Sequence, residues 1–92
     1  MIRLNCFFQA KSAAEYKLAL AAAIELTNAS RMHKGNVAYD TFQSATRPDV
    51  FMICETWENQ ESLNMHSATP EFEKNVGIIN SCGMLKLEKF DF

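Results

Sequence analysis

A glutamate placed among apolar residues is the first candidate for chemistry in this sequence. Side chains alternate across a strand, so Glu55 shares one face with Phe51, Ile53 and Trp57. A carboxylate on such a buried face needs a partner, or its pKa rises toward the range that suits proton transfer. Two interpretations stay open: a proton-transferring carboxylate, or a structural one bonded to a helix end or to Arg3.

A histidine is predicted to meet that same face. His66 lies nine residues after Trp57, on a predicted helix that crosses the strand carrying Glu55. An imidazole beside a carboxylate can act as an acid, a base or a substrate anchor. The alternative is a hydrogen-bonded core histidine. The other histidine, His33, and Arg47 lie in loop-like contexts, and we expect both to be solvated.

Two aromatic residues and one amide complete the candidate set for ligand binding. Trp57 and Tyr39 each combine a large apolar ring with one hydrogen-bonding group, so either could line a pocket for a flat or apolar ligand. For Tyr39 the alternative is packing in the core. Asn5 lies on the less apolar face of the first strand and is either an amide donor to a ligand or a solvated or interface residue.

Several types of site have no counterpart among the motifs of this sequence. It has no glycine-rich phosphate loop, no dinucleotide fingerprint, no Cys-x-x-Cys pair and no Gly-x-Ser-x-Gly elbow, so no nucleotide, metal or serine nucleophile is predicted. The cysteines Cys6, Cys54 and Cys82 lack metal-ligand spacing, and we expect them to be small buried hydrophobes. An odd number of cysteines fits a reducing cytoplasm, and we expect the protein there.

Charge and length restrict the partners. Nine basic and eleven acidic residues are scattered without a basic stripe, which argues against nucleic acid and against a membrane surface. The first eight residues lack the features of a secretory signal and are typical of a strand. We expect one domain over residues 1–92. So small a domain has a marginal core, which a second subunit would supplement.

Periodicity and turn signals predict the elements that position these residues. Strands are expected at residues 2–8, 37–44, 50–57 and 84–90, and helices at 13–29, after Asn59 and from Thr69-Pro70 onward. The order β-α-β-β-α-β predicts an α+β ferredoxin-like fold with a four-stranded antiparallel sheet. The strand at 50–57 is apolar on both sides, so we expect helices on one face and a homodimer partner on the open sheet face.

The segment 51–72 resembles the most recognisable segment of the antibiotic biosynthesis monooxygenase family. The residues that match the family pattern are Glu55, Trp57, His66, Thr69 and Phe72. Residues 35–40 resemble the family's second strand. The resemblance implies a dimeric α/β-barrel-like assembly of ferredoxin-like chains. It also implies, for the oxidising members, no metal, flavin or haem cofactor and an electron-rich phenolic or quinol substrate that reduces oxygen directly.

Departures from the family pattern indicate which branches of the family this chain resembles. Polyketide-oxidising members carry an Asn and a Tyr where this chain has Ile53 and Leu63. Haem-degrading relatives carry a Trp at the position of His66 and the iron-binding His at that of Val76, so haem is not expected. The quinol-monooxygenase-like and autoinducer-degrading-like branches share Glu55 and His66, and the latter branch isomerises a small phosphorylated dicarbonyl.

Three hypotheses for the function follow. The first is a cofactor-independent monooxygenase acting on a small quinol-like or phenolic compound, with His66 and Glu55 as catalytic residues and Trp57, Asn5 and Tyr39 in substrate binding. The second is an isomerase of a small oxo or dicarbonyl compound that uses the same two proton carriers. The third is a noncatalytic ligand-binding dimer in which the two residues form a structural hydrogen bond.

Overall fold

Four strands and three helices make up the chain in the order that the sequence predicts. The computed structural model describes all 92 residues. Its elements are β1 (Ile2–Ala10), α1 (Ala13–Ser30), β2 (Asn36–Gln43), β3 (Val50–Trp57), α2 (Gln60–Ser67), α3 (Pro70–Cys82) and β4 (Gly83–Asp91). The bounds of β3 are those predicted, and α1 and the other three strands differ from their predicted bounds by one or two residues at an end. The two later helices begin after Asn59 and at Pro70, as predicted. The ferredoxin-like prediction is confirmed.

The sheet places one row of side chains under the helices. Its strand order is β2-β3-β1-β4, with every neighbouring pair antiparallel. Glu55 lies opposite Tyr39 of β2 on one side and opposite Leu4 of β1 on the other, and Leu4 lies opposite Lys89 of β4. This row, Tyr39, Glu55, Leu4 and Lys89, crosses the whole sheet on the face that the helices cover.

Each helix begins at a side chain that accepts a hydrogen bond from a backbone N–H of its first turn. The three capping residues are Ser12, Asn59 and Thr69, each on an extended backbone. Pro70 occupies the first position of α3, where a missing N–H has no cost. These local hydrogen bonds therefore fix the residue at which each of the two helices after β3 begins, and with it the place of His66 along α2.

Small residues allow α1 to approach the sheet closely. Its buried side is formed mainly by alanines, with Ala19 and Ala23 fully buried, and by Leu26. Ile24, on the outer side of the helix, is half exposed. The expectation for the cysteines fails at Cys54, which is only partly buried because it points to the opposite face of the sheet.

The second face of the sheet has no helix over it. Aromatic side chains from three strands lie on it, namely Phe7, Phe42 and Phe90, and each is at least 38% exposed. An apolar surface of this kind is typical of a protein interface. None of the three helices combines the length and the apolar character that a membrane-spanning helix requires.

Candidate active site

Glu55 is buried between two hydrogen-bond donors. Its Oε1 accepts a hydrogen bond of 2.8 Å from the indole Nε1 of Trp57, and its Oε2 accepts a longer one of 3.6 Å from the Cys6 thiol. Burial raises the pKa of Glu55, while these two donors partly offset that rise. Arg3, a structural partner considered from the sequence, lies on the other face of β1 and donates to Asn5 instead.

His66 lies directly beside this carboxylate inside an aromatic enclosure. Its ring centroid is 4.4 Å from that of Trp57 and 5.1 Å from that of Phe72, and the side chain is 1% exposed. The Nε2 atom is 4.0 Å from Glu55 Oε1 and has no hydrogen-bond partner. Burial and the neighbouring His33 lower the pKa of His66 to about 4, so its imidazole is neutral at pH 7.

His33 contacts His66, contrary to the expectation that it is solvated. The two Nδ1 atoms are 2.9 Å apart, and His33 Nε2 is 3.2 Å from Glu71 Oε1. The turn between α1 and β2 brings His33 inward. The backbone N–H of His33 donates to the backbone carbonyl of Ser30, and Gly35 follows at a positive φ of 82°. The glycine signalled a turn in the sequence, but no pattern signalled where the histidine would point. Arg47 is exposed, as expected.

A cavity of about 470 Å³ lies between the helices and the sheet at this site. The row Tyr39, Glu55, Leu4 and Lys89 forms part of its floor, and His66 closes one side. Its apolar wall includes Leu26, Ile53, Leu63, Phe72, Val76 and Ile79. A volume of this size and a lining with few polar groups suit a small, mainly apolar ligand.

The structure separates the five site residues predicted from the sequence into three groups. Glu55, His66 and Tyr39 line the cavity. Trp57 lies behind them, fully buried, and contacts Glu55 through its indole N–H. Asn5 points to the opposite face of the sheet, since the cavity side of β1 carries Leu4 and Cys6.

One phenol and one thiol at the site, those of Tyr39 and Cys6, stay protonated. Burial and the nearby Glu55 carboxylate raise the pKa of the Tyr39 phenol and of the Cys6 thiol. Both groups can therefore serve as donors at neutral pH. No group of three or more His, Cys, Asp or Glu side chains is arranged to hold a metal ion.

Comparison with known proteins identifies the family of this chain. The family model described as antibiotic biosynthesis monooxygenase matches residues 1–76, most of the chain. The chain belongs to the antibiotic biosynthesis monooxygenase family. Membership supports a monooxygenase of the oxidoreductase class at the level of the family.

Similar proteins agree with the family assignment. A conserved protein of unknown function from Bacteroides thetaiotaomicron VPI-5482, described as a possible oxidoreductase, is 50% identical; the match covers 99% of this chain and 96% of that one, with a TM-score of 0.94. A structure described as antibiotic biosynthesis monooxygenase is 26% identical over 100% and 98% of the two chains, with a TM-score of 0.90. "Putative monooxygenase YcnE" of Bacillus subtilis (strain 168) is 27% identical over 79% of this chain and 76% of its own.

Proposed function

We propose that this member of the family is a cofactor-independent monooxygenase that oxidises a small quinol-like or phenolic compound. The observation that carries the proposal is a buried carboxylate, Glu55, 4.0 Å from an imidazole nitrogen of His66 that has no partner. Both residues line a largely apolar cavity of about 470 Å³. A proton-accepting pair beside an apolar pocket suits a substrate whose aromatic ring bears a hydroxyl group.

The pair would act on the proton of that hydroxyl group. Glu55 faces the cavity with a raised pKa, which makes its carboxylate a better base than an exposed one. The gap of 4.0 Å to His66 Nε2 is longer than a hydrogen bond, and such gaps often close when substrate binds. Loss of the proton makes the ring electron-rich, so it can reduce molecular oxygen.

The overall chemistry balances without a further reductant. A quinol consumes one O2, one oxygen atom enters the ring, the other leaves as water, and the product is a hydroxyquinone. The proton that the pair accepts at the start is returned when the O–O bond breaks. The other predicted residues take supporting roles: Trp57 orients Glu55 through its indole N–H, and Tyr39 forms the wall next to the substrate.

Oxygen uptake by the metal-free protein tests the proposal. A panel of small quinols and phenols is offered to the wild type, to Glu55→Gln and to Glu25→Gln, a control on the exposed side of α1. Gln keeps an acceptor for the Trp57 indole but loses the base, so we expect a fall in kcat of about a hundredfold in Glu55→Gln. The Glu25→Gln control should match the wild type. Absence of uptake across the panel would contradict the proposal.

Isomerisation of a small oxo or dicarbonyl compound is the second candidate. The same observation supports it, since a buried base beside a neutral imidazole can move a proton next to a carbonyl group. Exchange of deuterium from solvent into a dicarbonyl, without oxygen uptake, would favour this reaction. The two assays therefore separate the candidates on the same protein.

We also propose that two copies pair through the open sheet face. Phe7, Phe42 and Phe90 give this face an exposed apolar surface, and Asn5 lies on it as an amide that could bond across the interface. Sedimentation at micromolar concentration should show a dimer, and Phe42→Arg should shift it to the monomer. A wild type that sediments as a monomer would contradict the pairing.

We place the protein in the cytoplasm. Its three cysteines are all free, and Cys6 and Cys82 are buried. Free thiols persist in a reducing compartment. Fractionation of cells that express the tagged chain should recover it in the cytosolic fraction, and recovery in an oxidising compartment would contradict the placement.

A further inference from the structure

Four titratable side chains form a line from the cavity to the surface. Glu55 Oε1 is 4.0 Å from His66 Nε2, His66 Nδ1 is 2.9 Å from His33 Nδ1, and His33 Nε2 is 3.2 Å from Glu71 Oε1. Their side-chain exposure is 5%, 1%, 16% and 39% in the same order. The line thus begins at a buried group and ends at one that water reaches.

The partners restrict which nitrogen atoms carry hydrogen. An ionised carboxylate only accepts, so His33 Nε2 donates to Glu71. When His33 is neutral, its Nδ1 has a lone pair and accepts from His66 Nδ1–H, which leaves His66 Nε2 as a base facing Glu55. When His33 gains a proton, its Nδ1 donates instead, and the hydrogen of His66 moves to Nε2. The protonation of one histidine therefore sets the tautomer of the other.

We propose that His33 and Glu71 form a proton outlet that connects the Glu55–His66 pair to solvent. This proposal rests on the proposed function, since it gives the proton taken from the substrate a route and a store. His33 does not line the cavity, so it acts through His66 and is a positioning and relay residue rather than a catalytic one.

The transfer conserves protons at each step. The substrate hydroxyl gives its proton to Glu55, which passes it to His66 Nε2. His66 then releases its Nδ1 hydrogen to His33 Nδ1, and the resulting imidazolium is held by the Glu71 carboxylate. When oxygen chemistry in the cavity requires a proton, the same steps run in reverse. Between the two events the cavity holds the substrate anion and the Glu55 carboxylate, and the compensating positive charge lies on His33, where the Glu71 carboxylate stabilises it.

Other ionisable groups surround the line. Tyr39 of β2 packs 5.7 Å from the His66 ring, measured between centroids, and Cys6 of β1 contacts Glu55. Both hold their protons at neutral pH because burial raises the pKa of each. Lys89 of β4 lines the cavity and hydrogen-bonds to Gln60. None of these three replaces His33 as the group bonded to His66 Nδ1.

Nitrogen NMR of the two histidines tests the line without any substrate. The chain has only His33 and His66, so each single variant leaves one ring to observe. Across a pH range in which the nitrogen shifts of His33 report its own protonation, we expect the hydrogen of His66 to move from Nδ1 to Nε2. In His33→Gln this move should be lost. A His66 that keeps the same tautomer across the range in the wild type would overturn the proposal.

Kinetics with the best quinol test the transfer itself. His33→Gln retains a polar contact to His66 but cannot relay a proton, so we expect kcat to fall about tenfold or more, with KM within about twofold. His33→Ala should behave similarly and recover with added imidazole, which a purely structural role would not produce. Glu71→Gln should lower kcat less, because its side chain is partly exposed to water.

The two experiments separate failure of the outlet from failure of the proposed function. A protein without any oxygen uptake would contradict the monooxygenase, and the NMR result would then decide the outlet alone. A protein with uptake whose kcat is unchanged in His33→Gln and His33→Ala would overturn the outlet and leave the monooxygenase standing.

Discussion

The two ends of β3 use the same architecture for different purposes. At the start of the strand, Phe51 is fully buried, stacks on Phe8 with ring centroids 4.6 Å apart and meets the edge of Tyr16 at 5.8 Å. At its end, Glu55 and Trp57 occupy the same face, but a cavity adjoins them and a buried nitrogen of His66 lacks a partner. Phe51 and Glu55 are only four positions apart in the sequence.

This difference shows how a small domain can tolerate a costly site. Buried polar groups without complete partners destabilise a fold, whereas stacked aromatic rings stabilise it. The aromatic end therefore offsets the cost of the polar end within one strand. We expect substitutions at the first end to change the free energy of unfolding, and substitutions at the second to change activity and pH dependence.

The largest effect is expected at the aromatic end. Phe51→Ala removes a fully buried ring, which should lower the free energy of unfolding by about 3–5 kcal/mol. Urea denaturation measures the change, with Phe92→Ala, a largely exposed phenylalanine, as the control. A loss below about 1 kcal/mol would contradict the view that this end carries the stability.

The polar end is expected to give two opposite dependences of stability on pH. The pKa of His66 falls from 6.5 to about 4 on folding, so its contribution to the free energy of unfolding is fully present above pH 6.5 and is lost as the pH falls toward 4. The pKa of Glu55 rises on folding from its unfolded value of 4.5, so its contribution to the free energy of unfolding is present below pH 4.5 and is lost as the pH rises. In the wild type the two partly cancel.

Single variants should reveal each dependence. Glu55→Gln leaves His66, so its free energy of unfolding should rise between pH 4 and 6.5, by on the order of 3 kcal/mol at about 1.4 kcal/mol per pKa unit. His66→Gln leaves Glu55 and should lose stability as the pH rises above 4.5. Denaturation curves across this range measure both, and slopes of the same sign in the two variants would refute the assignment.

A smaller effect is expected where the turn carrying His33 meets α2. Gly35 has a positive φ of 82°, and a Cβ there would collide with the Ser62 side chain. Gly35→Ala should therefore destabilise the protein by at least about 1–2 kcal/mol. The matched control is Gly77→Ala in α3, where the added Cβ meets nothing, and it should stabilise by about 0.5–1 kcal/mol. Melting temperatures of the two variants that shift in the same direction from that of the wild type would contradict this prediction.

The smallest change in stability is expected at the cavity wall. Leu87 lines the cavity yet is 59% exposed, so Leu87→Trp should narrow the cavity and raise KM several-fold. The free energy of unfolding should stay within about 0.5 kcal/mol. Leu18→Trp, on the outer side of α1 with 60% exposure, is the matched control. Equal KM values in the two variants would show that substrate binds elsewhere.

Local patterns predicted the fold and the positions of some candidate-site residues. Alternation and caps located every element, and alternation placed Glu55 and Trp57 on one face. It also excludes Arg3 as the partner of Glu55, since Leu4 is the residue of β1 that faces the same side. The contacts of His66 depend on how α2 packs on the sheet, and those of His33 on the path of a short turn. Neither the packing of α2 on the sheet nor the path of this turn produces a repeating pattern of residue types, so the sequence alone did not predict these contacts.

The turn between α1 and β2 makes the proposed outlet separable from the rest of the chain. His33 belongs to a connector of five residues, 31–35, which contributes no strand to the sheet. Connectors tolerate exchange better than the elements they join. A protein engineer could therefore replace this segment alone, keeping the cavity while changing the speed at which it communicates with solvent. The chemistry of the reaction and the timing of its protons would then be two independent design variables.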